Sequence, residues 1–409
     1  MRTRRVFIPV ILILALSASA CDLLGIGGKD RNNAKEKSAK PRLVWKLENA
    51  VGSPFSPSPV IEDSSIYLSD GYDLVKLALH TGNLQWSAQF DAVSSDLLGN
   101  ILIDGTAVYL RFEQSVKAYD KSDGSLMWKV SFEDSLFTSQ LARSTSLVDQ
   151  SGKRIFVGSR KELLIIDKSQ EAIEQTIPVD MPGGTVADHC INVPKAGETG
   201  DRVYLLTSCE GQNSSWINSR LAAYRTADGS RLWKTMLPYQ LPNTYSVGIP
   251  QIIQMREKAG QLIVMTGPAV LAYDKYSGEQ DWEYQFYKGK TDINIGSLLA
   301  VNKDDILALA DKRVIILSAD NGREKQQIST NLLGSERMVF KGGDLYLSGG
   351  ILPGDTFITV YDAKTGDNVY SLSPPEKGLI KGFTPAFDTD GEFTIDVGAT
   401  SIYAYRVSN

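Results

Sequence analysis

From residue 42 onward the hydrophobic positions fall in short runs, rich in Val, Ile, Leu and Tyr and bounded by Gly, Asp, Asn or Ser. Ser65-Ile66-Tyr67-Leu68, Ala107-Val108-Tyr109-Leu110, Arg202-Val203-Tyr204-Leu205-Leu206, Leu262-Ile263-Val264-Met265 and Asp344-Leu345-Tyr346-Leu347 are typical. Runs this short, β-branched and aromatic, between turn formers, predict strands. No stretch of ten or more residues at helical spacing follows Lys40. The predicted body is all-β.

The strands belong to a repeat. Ala118-Tyr119-Asp120 runs through Gly124 to Trp128, and Ala272-Tyr273-Asp274 through Gly278 to Trp282. Ala223-Tyr224-Arg225 leads through Gly229 to Trp233, and Leu77 through Gly82 to Trp86. Weaker copies run from Leu317 through Gly322 to Gln326 and from Tyr361 through Gly366 to Tyr370, and the copy at Ile166 has Glu171 and Gln175. Taking the residue before the Asp as marker gives positions 77, 119, 166, 224, 273, 317, 361 and 405, a step mostly in the forties. That period fits four-stranded propeller blades. Gly supplies the positive φ of a tight turn, and Asp accepts hydrogen bonds from the turn amides. The Trp that follows returns in register to lie between blades. Burying a ring of roughly 200 Å² contributes up to about 5 kcal/mol. Trp86, Trp128, Trp233 and Trp282 are therefore read as inter-blade staples. The copy at Tyr405 has no outer strand after it, and Leu43-Val44-Trp45-Lys46-Leu47 has the form of the missing strand, with Trp45 as its staple. The expected fold is an eight-bladed β-propeller of four-stranded antiparallel blades, its ring closed by the N-terminal strand, which removes the exposed edge.

The N-terminus bears on location. Basic residues Arg2, Arg4 and Arg5 precede an apolar stretch from Val6 to Leu16 and small residues Ser17 to Ala20. Residues 1–20 thus read as a secretory signal, and Ser19-Ala20-Cys21 resembles a bacterial lipobox with Cys21 as the lipidated residue. Residues 21–41 are polar and glycine-bearing and read as a tether, leaving 42–409 for the propeller. Asp22, directly after the cysteine, resembles an inner-membrane retention signal. The net charge is −5, with 43 Lys and Arg against 48 Asp and Glu, which argues against a nucleic-acid or polybasic membrane surface. Cys190 and Cys209 fall in adjacent strands of one predicted hairpin, and the sequence leaves open a disulfide or two buried thiols.

The complete repeat at 118–128 and 272–282 resembles that of pyrroloquinoline-quinone enzymes and, equally, that of the BamB family of outer-membrane assembly lipoproteins. The resemblance spans about Pro41 to Asn409. It implies a non-enzymatic periplasmic scaffold with no cofactor or metal. Such a scaffold is a monomer within a complex, lipid-anchored at the outer membrane, that docks on a POTRA domain of a BamA-like subunit and assists unfolded outer-membrane proteins. The alternatives are a quinone- or sugar-dependent dehydrogenase of the same fold and an inner-membrane lipoprotein adaptor, the latter motivated by Asp22. Against the dehydrogenase, the chain has no adjacent cysteine pair, His80 reads as a solvated turn residue, and His189, beside Cys190, is a lone histidine that rarely makes a site.

Loops carry the function of a propeller, and the largest departure from the repeat is the 58-residue step between markers 166 and 224. Glu210 to Arg220 reads as a long loop in which Trp216 is either a partner anchor or a cover for its own blade. Two connections complete the candidate surface: Asp180 to Asp188, with Thr185 and Val186, and Pro238 to Tyr245, with Tyr239, Leu241 and Tyr245. The resemblance implies that these two meet the POTRA domain.

Overall fold

The computed structural model describes residues 42–48, 59–69, 72–90, 97–133, 148–159, 161–180, 185–211, 216–239, 241–242, 254–258, 260–266, 268–286, 296–302, 304–310, 312–330, 335–341, 343–350, 356–372, 386–387, 393–397 and 401–406. Every regular element among them is a β-strand. In chain order the strands form blade 1 (within 60–89), blade 2 (97–131), blade 3 (148–178), blade 4 (185–242), blade 5 (254–285), blade 6 (296–329) and blade 7 (335–372). A closing sheet joins residues 386–387, 393–397 and 401–406 to the N-terminal strand Arg42–Glu48. Within each blade, strands a to d pair consecutively and antiparallel, as in blade 1 (Val60–Glu62, Ser65–Ser69, Asp73–Ala78, Leu84–Gln89).

The expectation of eight uniform four-stranded blades is corrected here. Among the described residues seven sheets are four-stranded, and the sheet of blade 4 carries a fifth strand, Leu241–Pro242, on its strand c, so the number of four-stranded blades is seven, not eight. The N-terminal strand occupies the outer position of the closing sheet, with Arg42 opposite Arg406 and Glu48 opposite Ser401.

The core lies between blades rather than within one. Apolar side chains of each sheet interleave with those of the next. Trp45, Leu47, Ile402 and Ala404 pack on Ile61, Ile66 and Leu77, and Trp128 packs with Ile155, Val157 and Ile166. The repeat's Asp behaves as its chemistry demands. Asp274 accepts the amides of Tyr276 and Ser277 at 2.9 and 2.7 Å, and the Gly278 amide donates to the Asp274 carbonyl at 2.9 Å. Gly has a second duty. A Cβ on Gly82, Gly124, Gly278 or Gly322 would stand 2.4–2.7 Å from the indole of Trp45, Trp86, Trp233 or Trp282 in the preceding sheet. The Trp of one blade thus lies face-on against the turn Gly of the next. Its Nε1 often donates to a nearby carbonyl, Trp45 to Leu79 at 2.7 Å and Trp86 to Lys121 at 3.2 Å.

Three further features repeat. Strand d is bulged just before the docking position in every sheet, for example between the Ala118 and Tyr119 partners and between the Ala272 and Tyr273 partners. A bulge twists an edge strand and interrupts its ladder, which blunts strand addition at that end of the outer edge. At three seams a side chain of one inner strand caps a backbone group of the neighbouring inner strand. Gln150 donates to the Ile103 carbonyl at 2.6 Å, Asp149 accepts the Ala196 amide at 2.9 Å, and Gln254 accepts the Leu299 amide at 2.8 Å. The lysine following the repeat's Asp clasps an acid across the seam. Lys121 meets Asp63 at 2.7 Å, and Lys168 meets Asp104 at 2.9 Å.

Candidate docking surface

Blade 4 breaks the repeat. Its strands a, b and c are Thr185–Ala196, Arg202–Gly211 and Trp216–Arg225, of 12, 10 and 10 residues. The corresponding strands of blade 5, Gln254–Lys258, Gln261–Met265 and Ala269–Asp274, have 5, 5 and 6. The stretch Glu210 to Arg220, expected to be a loop, is mostly strand: Cys209 pairs with Asn218 and Glu210 with Ile217. The sheet therefore extends beyond the length of its neighbours.

A buried polar layer supports the extension. The Thr207 hydroxyl donates to Asn192 at 2.6 Å, Asn192 donates to the Ser159 carbonyl of blade 3 at 2.6 Å, and the Ser208 and Ser219 hydroxyls lie 2.9 Å apart. These side chains are almost fully buried, and their mutual hydrogen bonds satisfy groups whose isolation would be costly. Just beyond the layer, Cys190 and Cys209 are joined by a disulfide that ties strand a to strand b. After strand d (Arg231–Met236) the chain continues along strand c. The Leu237 amide donates to the Ser219 carbonyl at 3.0 Å, and Leu241 and Pro242 then pair opposite Ile217 and Trp216.

The register gathers the predicted candidates at one end of the blade. Thr185 pairs with Gly211, Val186 follows it, Trp216 begins strand c, and Leu241 lies opposite Ile217. Tyr239 is placed otherwise: half-buried on the cluster between blades 4 and 5, it donates its hydroxyl to Glu283 and accepts from Gln285 at 2.8 Å. Burial first, and then the Glu283 carboxylate, push its phenol well above the ordinary range. It bridges two blades. Cys21 and Tyr245 lie outside the described residues.

The docking tryptophans are inter-blade. Trp86 and Trp128 are buried, and Trp45, Trp233 and Trp282 are partly buried in clusters that join adjacent sheets. Tyr67, Tyr109 and Tyr204 of strand b stand behind Trp86, Trp128 and Trp233 with ring centroids 5.8–6.2 Å apart. His80 is exposed on a turn of blade 1, and His189 lies in strand a of blade 4. Among the described residues no group of three His, Cys, Asp or Glu is placed to hold a metal ion, and no helix is long and apolar enough to cross a membrane.

One feature of this region was missed from sequence. Asp180, just past strand d of blade 3 (Ala172–Pro178), is contacted by Arg231 and has Lys234 at 3.5 Å and Arg220 at 4.0 Å, all three from blade 4. Partial burial works against ionisation, but Arg231, Arg220 and Lys234 hold its carboxyl below the usual range. Arg231 and Lys234 stand close together in the sequence, but nothing local pairs them with an acid some fifty residues upstream.

Repeat turns, indole-on-glycine seams and a ring closed through its first strand define a propeller of the pyrroloquinoline-quinone repeat type. The family model described as outer membrane protein assembly factor BamB matches residues 38–192 and 191–338, and the chain belongs to that family. Among solved structures it is similar to BamB from Moraxella catarrhalis, with a TM-score of 0.53 and 14% identity over 86% of this chain and 84% of that one. The Dos1 propeller gives a TM-score of 0.63 at 10% identity, covering 90% and 96%. The computationally designed Ika8 protein gives 0.60 at 10%, covering 86% and 96%. At such identities the likeness is one of fold. No curated protein sequence matches the chain.

Proposed function

We propose that this protein is a non-catalytic periplasmic scaffold, lipidated at Cys21 and tethered through residues 21–41. It docks on a POTRA domain of a BamA-like barrel-assembly subunit and assists the folding and insertion of outer-membrane proteins. The observation that carries this reading is the extended end of blade 4. There the register brings Thr185, Val186, Trp216 and Leu241 together on a projection stiffened by a disulfide and a fifth strand. A rigid projection suits docking because little ordering entropy is lost on binding. Membership of the BamB family supports the choice of partner. The bulged outer strands favour docking through this projection over strand addition at the blade rims.

Photo-crosslinking from position 216 or 241 in native membranes is expected to recover a barrel-assembly subunit. Recovery of none overturns the reading. Asp22 supports an inner-membrane alternative, which fractionation of the membranes separates from the outer-membrane one. A quinone-dependent activity predicts a higher melting temperature with pyrroloquinoline quinone and Ca²⁺; we expect no change.

A further inference from the structure

Three cations converge on one carboxylate where blade 3 meets blade 4, so the cluster of Arg220, Arg231, Lys234 and Asp180 carries an excess of positive charge. Arg220 is its informative member. It is 4% exposed, its Nε and Nη2 are buried without a hydrogen-bond acceptor among the described residues, and it also interacts with Tyr224. A guanidinium left half-satisfied in a buried position is costly. Its Nη1 lies 4.0 Å from Asp180, so its charge reinforces the cluster from the buried side. Arg231 and Lys234 have side chains 41% and 50% exposed, so the cluster opens to solvent along the outer strand of the blade. Met236 lies two residues beyond Lys234, hence on the same face of that strand, and is 52% exposed.

We infer that this cluster receives an acidic side chain, a Glu or Asp on a protein partner, with Met236 meeting an apolar neighbour of that acid. The inference rests on the reading that blade 4 docks a partner, and it supplies that partner's chemistry. A planar guanidinium fork matches a planar carboxylate, which can accept from the exposed Arg231 while Lys234 and the buried Arg220 add positive charge. A protein rather than a lipid is the occupant because the order of sheets sets blade 4 across the ring from the closing sheet, whose outer strand Arg42–Glu48 continues from the N-terminal segment.

The test uses the full mature protein and a fluorescent peptide with two glutamates flanking a leucine, compared with the same peptide carrying glutamines. Fluorescence anisotropy is expected to show the glutamate peptide binding about tenfold more tightly, a preference that salt weakens. The exposed double variant Arg231→Gln, Lys234→Gln is expected to lose that preference while keeping its melting temperature. Equal binding of the two peptides, or a preference that survives in the double variant, overturns the inference. So does a wild-type protein that ignores the peptide but binds phosphatidylglycerol vesicles through these residues. Crosslinking keeps the two readings apart. If the double variant still recovers the barrel-assembly subunit, the cluster is not its receptor and the docking reading stands. If the wild type recovers none, the docking reading fails, and the peptide titration still judges the cluster.

Discussion

The seam between blades 5 and 6 and the two seams that flank blade 3 solve the same packing problem with different residues. Between blades 5 and 6 the Trp282 ring lies so close to Gly322 that a Cβ there would stand 2.4 Å from it. Between blades 2 and 3 the tryptophan survives as Trp128, but the turn position is Glu171, held at a φ of 54°. Between blades 3 and 4 the glycine survives as Gly229, and Gln175 takes the place of the indole against it. The apolar cluster persists in every case, with Phe156, Ile165, Ile177, Leu205 and Tyr224 filling the seam that lacks its tryptophan. That seam also carries the Asp180 cation cluster. The comparison teaches that the aliphatic interleaving and the turn shape are the invariants, and that the indole is one of several side chains able to cap them.

The sharpest way to break this comparison uses two glycines with the same backbone and different neighbours. Gly322 and Gly366 both have positive φ, 67° and 78°, but a Cβ on Gly366 would meet Gln326 only at 3.6 Å. Gly322→Ala combines left-handed strain with overpacking and is expected to cost about 3 kcal/mol, whereas Gly366→Ala carries the strain alone, about 1 kcal/mol. Urea denaturation of the two variants measures this, and equal losses would show that the indole contact adds nothing. Next in size is Asp104→Asn, at about 2 kcal/mol. Burial opposes ionisation of Asp104. Hydrogen bonds from Tyr109 at 2.6 Å, Lys168 at 2.9 Å and the amides of Thr106 and Ala107 nonetheless hold its carboxyl well below the usual range. Since the folded value is depressed, this contribution is complete above the unfolded-chain pKa of about 3.9 and is lost as pH falls toward the folded value. Denaturation as a function of pH should therefore show the gap between wild type and variant closing below about pH 4, and a gap that widens there would contradict the assignment. The smallest effect has the opposite sign. Glu171→Gly relieves a left-handed residue and is expected to stabilise by about 1 kcal/mol, read as a rise in melting temperature.

Much of the architecture was legible in the chain. The marker spacing reports the repeat period, though not the count of four-stranded blades, and the strand around Trp45 reports its pairing with the last strand, because both follow from local strand and turn chemistry. The uniform four-stranded expectation failed at blade 4 for a physical reason. The stretch Glu210 to Arg220 is rich in Gln, Asn and Ser, so the alternation that advertises a strand is missing there, and Ser219 is polar because it meets Ser208 inside the sheet. Leu241 and Pro242 make too short a strand to signal itself, and their pairing depends on a partner far back in the chain. Gly was recognised as a turn former, but its role as a seat for the indole involves a ring in the preceding sheet, a separation of roughly one repeat. Thr185, Trp216 and Leu241 lie in separate segments of the sequence, and only the register shows them sharing one end of a sheet.

The pairing of Arg42–Glu48 with Ser401–Arg406 also has a kinetic consequence. Blade 1 can fold from contiguous chain, but the surface that Trp45 and Leu47 cover on it is completed by Ile402 and Ala404. That surface must wait for the last strands to be synthesised. Until then Ile61, Ile66 and Leu77 have no lid, and the partly formed ring presents an apolar flank open to chaperones or to aggregation. Among the described residues closure is the pairing of longest sequence separation, and it should be among the slowest steps of folding. A chain stalled short of residue 401 would have nearly all of its blades and none of the ring's topological protection.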